Sequence, residues 1–264
     1  MSETWKRWEG QVVNGEFPLV RYLGGSSHSA VFLTERRAGT PKKAAIKLIP
    51  ADPNSAEDQL RRRKQSAKLN YPHLVRVFES GRCELEGTPL LYVVMEAAEE
   101  DLSQILPERA LTPGEVREML PPALDALAHL HSKGLVHGRL RPSNILAAGD
   151  QVKVSTDSVR VDGELASSPA GLMDGYDPPE APSGKLTAAS DVWSLAITMA
   201  EVLTQRRPAW DPSQAAPPAL HPGMPEPFQE IARGSLQVDP KQRWKISQIA
   251  SKLKPSNTAT GQAV

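Results

Sequence analysis

The sequence predicts an α+β fold in two lobes, a β-rich first part followed by an α-rich second part. Two observations carry the order of the lobes. Short β-branched and aromatic runs broken by Gly, Pro and charged residues crowd the start of the chain, and after AAEEDLSQIL the apolar residues recur every three or four positions. A third observation sets the scale: 39% hydrophobic residues in a chain of 264 is enough for a sizeable core, in one large domain or in two lobes sharing a cleft.

Taken in order, FPLVRYLGG, SAVFLTERR and KKAAIKLIP read as strands. Ser55 then precedes the acidic Glu57 and Asp58 and a basic helical run, QLRRRKQSAKL, so Ser55 and Asp58 are expected to form a capping box. VRVFESGRCEL and PLLYVVMEA add two more strands, giving an antiparallel sheet of about five. In LTPGEVREMLPPALDALAHLHSKG the apolar set Val116, Met119, Leu120, Leu124, Leu127 and Leu130 has helical spacing, and Pro121 and Pro122 are expected to kink or divide that helix. DVWSLAITMAEVL is too short to span a bilayer and reads as a buried helix, and WKISQIASKL reads as the last helix. The stretch from Pro208 to Pro227 is too rich in proline for regular structure and is expected to be an extended surface loop. The small, polar end PSNTATGQAV reads as a disordered tail or the start of a linker.

Composition removes several functions. The 31 basic and 31 acidic side chains cancel, so no global field draws the chain to nucleic acid or to an anionic membrane. Cys83 is the only cysteine, which excludes an intrachain disulfide framework and a cysteine-based zinc cluster and suits a reducing cytoplasm. The start, MSETWKRWEG, lacks the apolar core of a signal peptide.

Eight stretches are more informative than this architecture: LGGSSHSAVF (23–32), AAIK (44–47), LNYPHLVRVFESG (69–81), VVMEAAEEDL (93–102), HGRLRPSNIL (137–146), YDPPE (176–180), DVWSLA (191–196) and DPKQRW (239–244). In their order and spacing they resemble the successive landmarks of a protein kinase domain, with a flavour similar to bacterial Ser/Thr kinases. The resemblance covers almost the whole chain. It implies a bilobal kinase fold over residues 1–255, with an N-lobe at about 10–97 (a five-stranded antiparallel sheet and one helix), a hinge at about 96–101, a mainly helical C-lobe at about 101–255 and a tail at 256–264. It does not settle activity, which belongs to the site.

Phosphoryl transfer in this family uses a flexible cover over the phosphates, a Lys held by a Glu, metal ligands and a carboxylate that orients the acceptor hydroxyl. The cover positions hold Gly24, Ser26 and Ser29, followed by Val31; an ordinary hairpin is an equal alternative there, since two glycines are lost. Lys47 matches the phosphate-contacting lysine. Its usual Glu falls near Arg62, and Glu57 suits the first turn of its own helix, so Lys47 is expected to lack that helix carboxylate. The basic run RRRK itself reads as a solvated helix face. Met95, Glu96 and Ala98 match the adenine-contacting hinge, which works through backbone groups.

Asn144 matches one magnesium ligand. The second ligand belongs to a DFG triplet, whose simplest register falls on Thr156, Asp157 and Ser158, with a hydroxyl replacing the hard anion; a local bulge would instead turn Asp157 inward. In the catalytic loop His137 matches, Gly138 replaces the Arg, Arg139 replaces the catalytic Asp, Leu140 packs inward, Arg141 replaces the Lys, and Pro142 and Asn144 match. A guanidinium at 139 offers no acceptor lone pair, repels a divalent cation and attracts phosphate. Gly138 also removes the usual receptor for an activation-segment phosphate, although ASSPAG and LTAAS contain hydroxyls. Glu180 with Arg243, and Asp191 with the catalytic-loop backbone, match structural contacts of the family.

This pattern implies a pseudokinase, a binding, scaffold or allosteric module whose partner is an active kinase or another effector, with no catalytic residue of its own. An anionic ligand such as ATP would be held without magnesium by Lys47, Arg139 and Arg141. Two rivals stay open. One is a weak or unorthodox ATP-dependent Ser/Thr kinase using Lys47, Asn144 and a repositioned Asp157; the other is a structural domain with a closed cleft and no nucleotide.

Overall fold

The computed structural model describes residues 5–38, 40–157, 159–165, 175–182, 185–211 and 216–254. Its strands are β1 (Val12–Val13), β2 (Phe17–Pro18), β3 (Arg21–Ser26), β4 (Ser29–Ala38), β5 (Thr40–Pro50), β6 (Val77–Leu85), β7 (Thr88–Glu96), β8 (Glu100–Asp101), β9 (Leu135–Val136), β10 (Ile145–Ala148), β11 (Gln151–Val154) and β12 (Arg160–Val161). Its helices are α1 (Ala56–Ser66), α2 (Leu102–Ile105), α3 (Pro113–Ser132), α4 (Ala188–Thr204), α5 (Phe228–Ser235) and α6 (Ile246–Leu253). They fall into two compact units, Met1–Asp101 with Ile145–Arg160, and Leu102–Asn144 with Val161–Val264. Residues 145–160 therefore cluster with the first unit, although the sequence reading assigned them to the second lobe. The expected tail at 256–264, Ser158 and the ASSPAG hydroxyls lie outside the described residues.

In the first unit β3, β4, β5, β7 and β6 form, in that order, one antiparallel sheet. Alternation along β5 sorts its side chains by face. Ile46 and Leu48 join Phe17, Phe32, Tyr92 and Val94 in one apolar cluster, while Ala45 joins Val75, Val77, Val93 and Met95 in another. Leu23, Val31 and Leu146 pack against the second cluster. FPLVRYLGG is not one strand: Phe17 and Pro18 pair with β1 in a two-stranded sheet before β3 begins. The unit also begins earlier than position 10, because Trp5 and Trp8 are buried in its core, edge to face with ring centroids 5.3 Å apart.

Helix α1 follows the basic run, but Ser55 makes no side-chain bond to a helix N–H. Its hydroxyl instead donates to Asp52 and accepts from Gln59, at 2.9 Å each, and Asp58 pairs with Arg61. The expected capping box is absent: Ser55, at φ -125 and ψ -8, lacks the extended N-cap backbone that aims the hydroxyl at the helix N–H groups.

In the second unit α3 runs unbroken through Pro121 and Pro122. The two missing N–H groups free the carbonyls of Arg117 and Glu118, both on exposed residues where water can serve them. Meanwhile Val116, Met119, Leu120, Leu124, Leu127 and Leu130 are all buried. A capping box fixes its start: Thr112 Oγ1 accepts from the Glu115 N–H, and the Glu115 carboxylate accepts from the Thr112 N–H. In α4 every residue from Asp191 to Ala200 is buried. The described residues between Pro208 and Pro227 form neither helix nor strand. No helix among the described residues is long and apolar enough to cross a membrane.

Candidate functional site

The site residues divide between the two units, and each set has its own geometry. In the first unit Lys47 sits at the middle of β5, paired with Val31 on β4 and Val93 on β7, and its side chain is partly exposed. Its ammonium group lies 2.6 Å from Asp157 Oδ2, while Glu57 of α1 pairs with Arg82, so the acid on Lys47 is the Asp157 that a local bulge was to turn inward and not a helix carboxylate. The acid arrives from beyond β11 rather than from α1.

The reason lies in the residues just after that strand. The β10–β11 ladder keeps regular register up to Val154, which also bonds the backbone of His73 and Val75. Ser155 and Thr156 are then both buried, and Thr156 Oγ1 donates to the Val75 carbonyl at 2.7 Å. That bond turns the Thr156 side chain into the core and lets the next residue, Asp157, face Lys47. The hydroxyl that the simplest register set in the acid's place is an anchor, and the carboxylate stands one residue later.

Next to Arg62, near which counting placed the family's helix Glu, stands Arg63. It is buried, so RRRK is not wholly a solvated face. Burial lowers the pKa of Arg63, Asp157's negative charge opposes that shift, and neighbouring Arg62 adds to it. Arg63 Nη1 donates to Gln59, and its Nε finds no acceptor among the described residues. Asp157 therefore lies in contact with one cation and in the field of another. Sequence reasoning missed Arg63 because a run of three arginines gives no sign of which one faces inward.

The cover positions form a tight hairpin. Ser26 pairs with Ser29 across the turn Ser27–His28, and the His28 N–H donates to Ser26 Oγ at 3.1 Å. Gly25, not Gly24, is where space forbids a side chain: an added Cβ would stand 2.5 Å from the Ser29 carbonyl oxygen. Trp5 Nε1 donates to the Ser26 carbonyl at 2.9 Å. The hairpin is thus bonded to itself and pinned from the chain's start. At the hinge position Met95 is buried and Ala98 is half-buried. Glu96 bonds the backbone of Arg76 and takes Lys153 at 2.7 Å. With Leu23, Val31, Ala45 and Leu146, Met95 belongs to one apolar cluster whose chemistry suits a flat heteroaromatic ring. Leu23, Ala45 and Leu146 were not singled out from the sequence, although strand alternation puts Leu23 and Ala45 on that face.

In the second unit the catalytic-loop segment hangs on Asp191, fully buried at the first turn of α4. Its carboxylate accepts from the His137 and Gly138 N–H groups at 2.8 Å each, and from His131 Nε2 at 2.9 Å. Gly138 has φ +74, a conformation that glycine adopts without strain. His137 and Leu140 are completely buried. Arg139 donates its N–H to His137 Nδ1, and its carbonyl accepts from Asn144 Nδ2 at 2.6 Å, which leaves Asn144 Oδ1 as that amide's available acceptor. Arg139 and Arg141 line one small recess with Tyr176, Asp177 and Ser190. Arg243 is wholly buried and grips Glu180 with both Nη atoms, at 2.7 and 2.6 Å. It also donates to three carbonyls and lies over the Trp193 ring.

Known proteins match this pattern. The family model described as the protein kinase domain matches residues 17–253. The serine/threonine-protein kinase PrkC of Bacillus subtilis is 27% identical over 90% of this chain, and PknB of Mycobacterium tuberculosis is 27% identical over 89%. The serine/threonine-protein kinase pkn2 of Myxococcus xanthus is 28% identical over 75% of the chain. The matched regions cover 40%, 42% and 25% of those three proteins, so the chain spans well under half the length of each.

Proposed function

Since this chain belongs to the protein kinase domain family, we propose that it is a pseudokinase, a kinase-fold binding module that regulates or scaffolds an active kinase or another effector. One observation carries this reading. The acid that reaches Lys47 is Asp157, already bound to that ammonium at 2.6 Å and facing the field of Arg63, while position 139 offers a guanidinium in place of a carboxylate. A general base lost in this way costs about 10²- to 10⁴-fold in rate.

The family implies ATP, usually with magnesium. The adenine end fits, because the cluster of Leu23, Val31, Ala45, Met95 and Leu146 offers apolar walls. The metal end fits poorly, since a divalent cation at Asp157 would have to displace Lys47 and tolerate Arg63. The reading therefore includes an anionic nucleotide bound at Lys47 of the first unit without magnesium, with a positive side chain in the metal's electrostatic role.

The contact between Lys47 and Asp157 also favours a second reading, a weak ATP-dependent Ser/Thr kinase in which Asp157 changes partner from Lys47 to a metal. Thermal-shift titration with ATP, with and without magnesium, combined with a phosphotransfer assay, separates the two. The expected result is stabilisation by ATP that magnesium does not increase, with no turnover above an Asp157→Asn control and none restored by Arg139→Asp alone. Magnesium-dependent stabilisation with turnover sensitive to Asp157→Asn would establish the second reading instead. No shift in either condition would indicate a domain that binds no nucleotide.

A further inference from the structure

The second unit contains a groove that none of this chemistry uses. Its volume is about 930 Å³, within the range of true ligand sites, and its floor is apolar: Leu124 and Ala128 of α3, Val192 of α4, and Ile246, Ala250 and Leu253 of α6. Two polar groups at its edge are committed elsewhere, His131 to Asp191 and Arg243 to Glu180. Lys241, Lys245 and Lys254 also line it. All three are exposed, and none has a carboxylate partner among the described residues. Against these three lysines the lining offers one acid, Asp125. An apolar floor under an excess of positive charge selects an occupant that is apolar on one side and acidic at its margins.

We propose that this groove docks an acidic amphipathic helix of another protein. The spacing of the charges chooses a helix over a single-headed amphiphile such as a fatty acid. Lys245 caps the start of α6 and Lys254 its end, so the two Cα atoms are separated by about 13 Å at 1.5 Å of rise per residue. One carboxylate head can reach one of them. Glu or Asp side chains along the two edges of an apolar helical stripe can reach both, and Lys241 as well, while the stripe fills the floor. The inference does not depend on the state of the phosphotransfer site, because every lining residue belongs to the second unit.

The test is a selection of helical peptides from a random displayed library on the whole chain, with Ala250→Trp, which fills the groove, as counter-screen. Selected peptides are then measured by fluorescence anisotropy. The expected winners carry apolar residues at helical spacing flanked by Glu or Asp, and lose at least tenfold in affinity on Lys245→Glu/Lys254→Glu. Thermal melting checks that this surface double variant remains folded. The proposal is overturned if nothing is enriched over the Ala250→Trp variant, if the winners show no acidic excess, or if the double variant binds them equally well. It is also overturned if laurate displaces the winners at concentrations below its micelle point and itself loses affinity in Ala250→Trp, since the groove would then be a lipid site. A chain ending at Lys254 that binds the winners more than tenfold tighter would make residues 255–264 the native occupant and refute the partner.

Discussion

At the scale of single residues the chain shows a reversal of charge more than a loss of it. Where related chemistry places a carboxylate on the helix facing Lys47, Arg63 is buried; where it places a base, Arg139 stands. Asp157 serves as counter-charge to Lys47 and lies in the field of Arg63, so the three act as one cluster. Replacing Asp157 by Asn leaves two partly buried cations facing a neutral amide. Because Lys47 keeps 23% of its side-chain surface exposed, the cost should fall below the 3–5 kcal/mol of a fully buried broken pair, at about 2 kcal/mol. Arg63→Met should then recover part of that loss, since it removes one of the two stranded charges. A double-mutant cycle by chemical denaturation measures this coupling, and strictly additive effects would show that Arg63 does not sense Asp157.

Elements reveal why some features were legible and others were not. Helix α3 was readable from its apolar spacing, since that stripe decides burial whatever the prolines do. The prolines misled because proline removes hydrogen bonds only from the carbonyls one turn earlier, and here those carbonyls lie on exposed residues. The capping box of α3 was not singled out, whereas the one expected at Ser55 did not form: a hydroxyl residue with an acid three places on caps only where its backbone is extended, as at Thr112 and not at Ser55. In the site, the resemblance to protein kinase domains pointed to Lys47, Asn144, Asp191 and the Glu180–Arg243 pair. The turn of Asp157 toward Lys47 stayed an open alternative because it depends on Thr156 turning inward to bond Val75, a choice made by the fold.

The α3 cap also has a pH signature. The Arg109 guanidinium, followed by the Thr112 N–H, holds the Glu115 carboxyl down at about 2. A carboxyl depressed in the folded state contributes stability above its unfolded pKa, and that stability is lost as the pH falls through the folded value. The contribution is therefore complete above about pH 4.3, the ordinary glutamate value, and disappears as the pH approaches 2. Glu115→Gln should lower stability at neutral pH and flatten the acid limb of the curve in that window. Thr112→Ala should cost about 1 kcal/mol by loss of the cap. Stability curves from pH 2 to 7 for the three proteins check both statements; an acid limb unchanged by Glu115→Gln would contradict the assignment.

For the whole molecule, each unit has its own apolar interior and its own polar anchor. Phe32, Leu48 and Val94 centre the first, while Leu120, Leu127 and Trp193 are buried in the second, where the Glu180–Arg243 pair ties residue 180 to the segment before α6. Separate cores predict separable local openings. Glu180→Gln removes the charge opposite a guanidinium with no exposed surface, and three backbone carbonyls bonded to Arg243 then share the burden. The loss should be about 3 kcal/mol, the low end for a broken buried pair. It should surface first as faster amide exchange in α4, α6 and the loop before α6, with the β3–β7 sheet retaining its protection. Phe32→Ala should do the opposite, loosening the sheet at a cost of about 3–5 kcal/mol while α3 and α4 keep theirs. Native-state hydrogen exchange at low denaturant reads both variants in one experiment. If either substitution lowered protection equally throughout the chain, the two cores would open as one cooperative structure, and binding at one unit would have to be argued as an event felt by the whole chain.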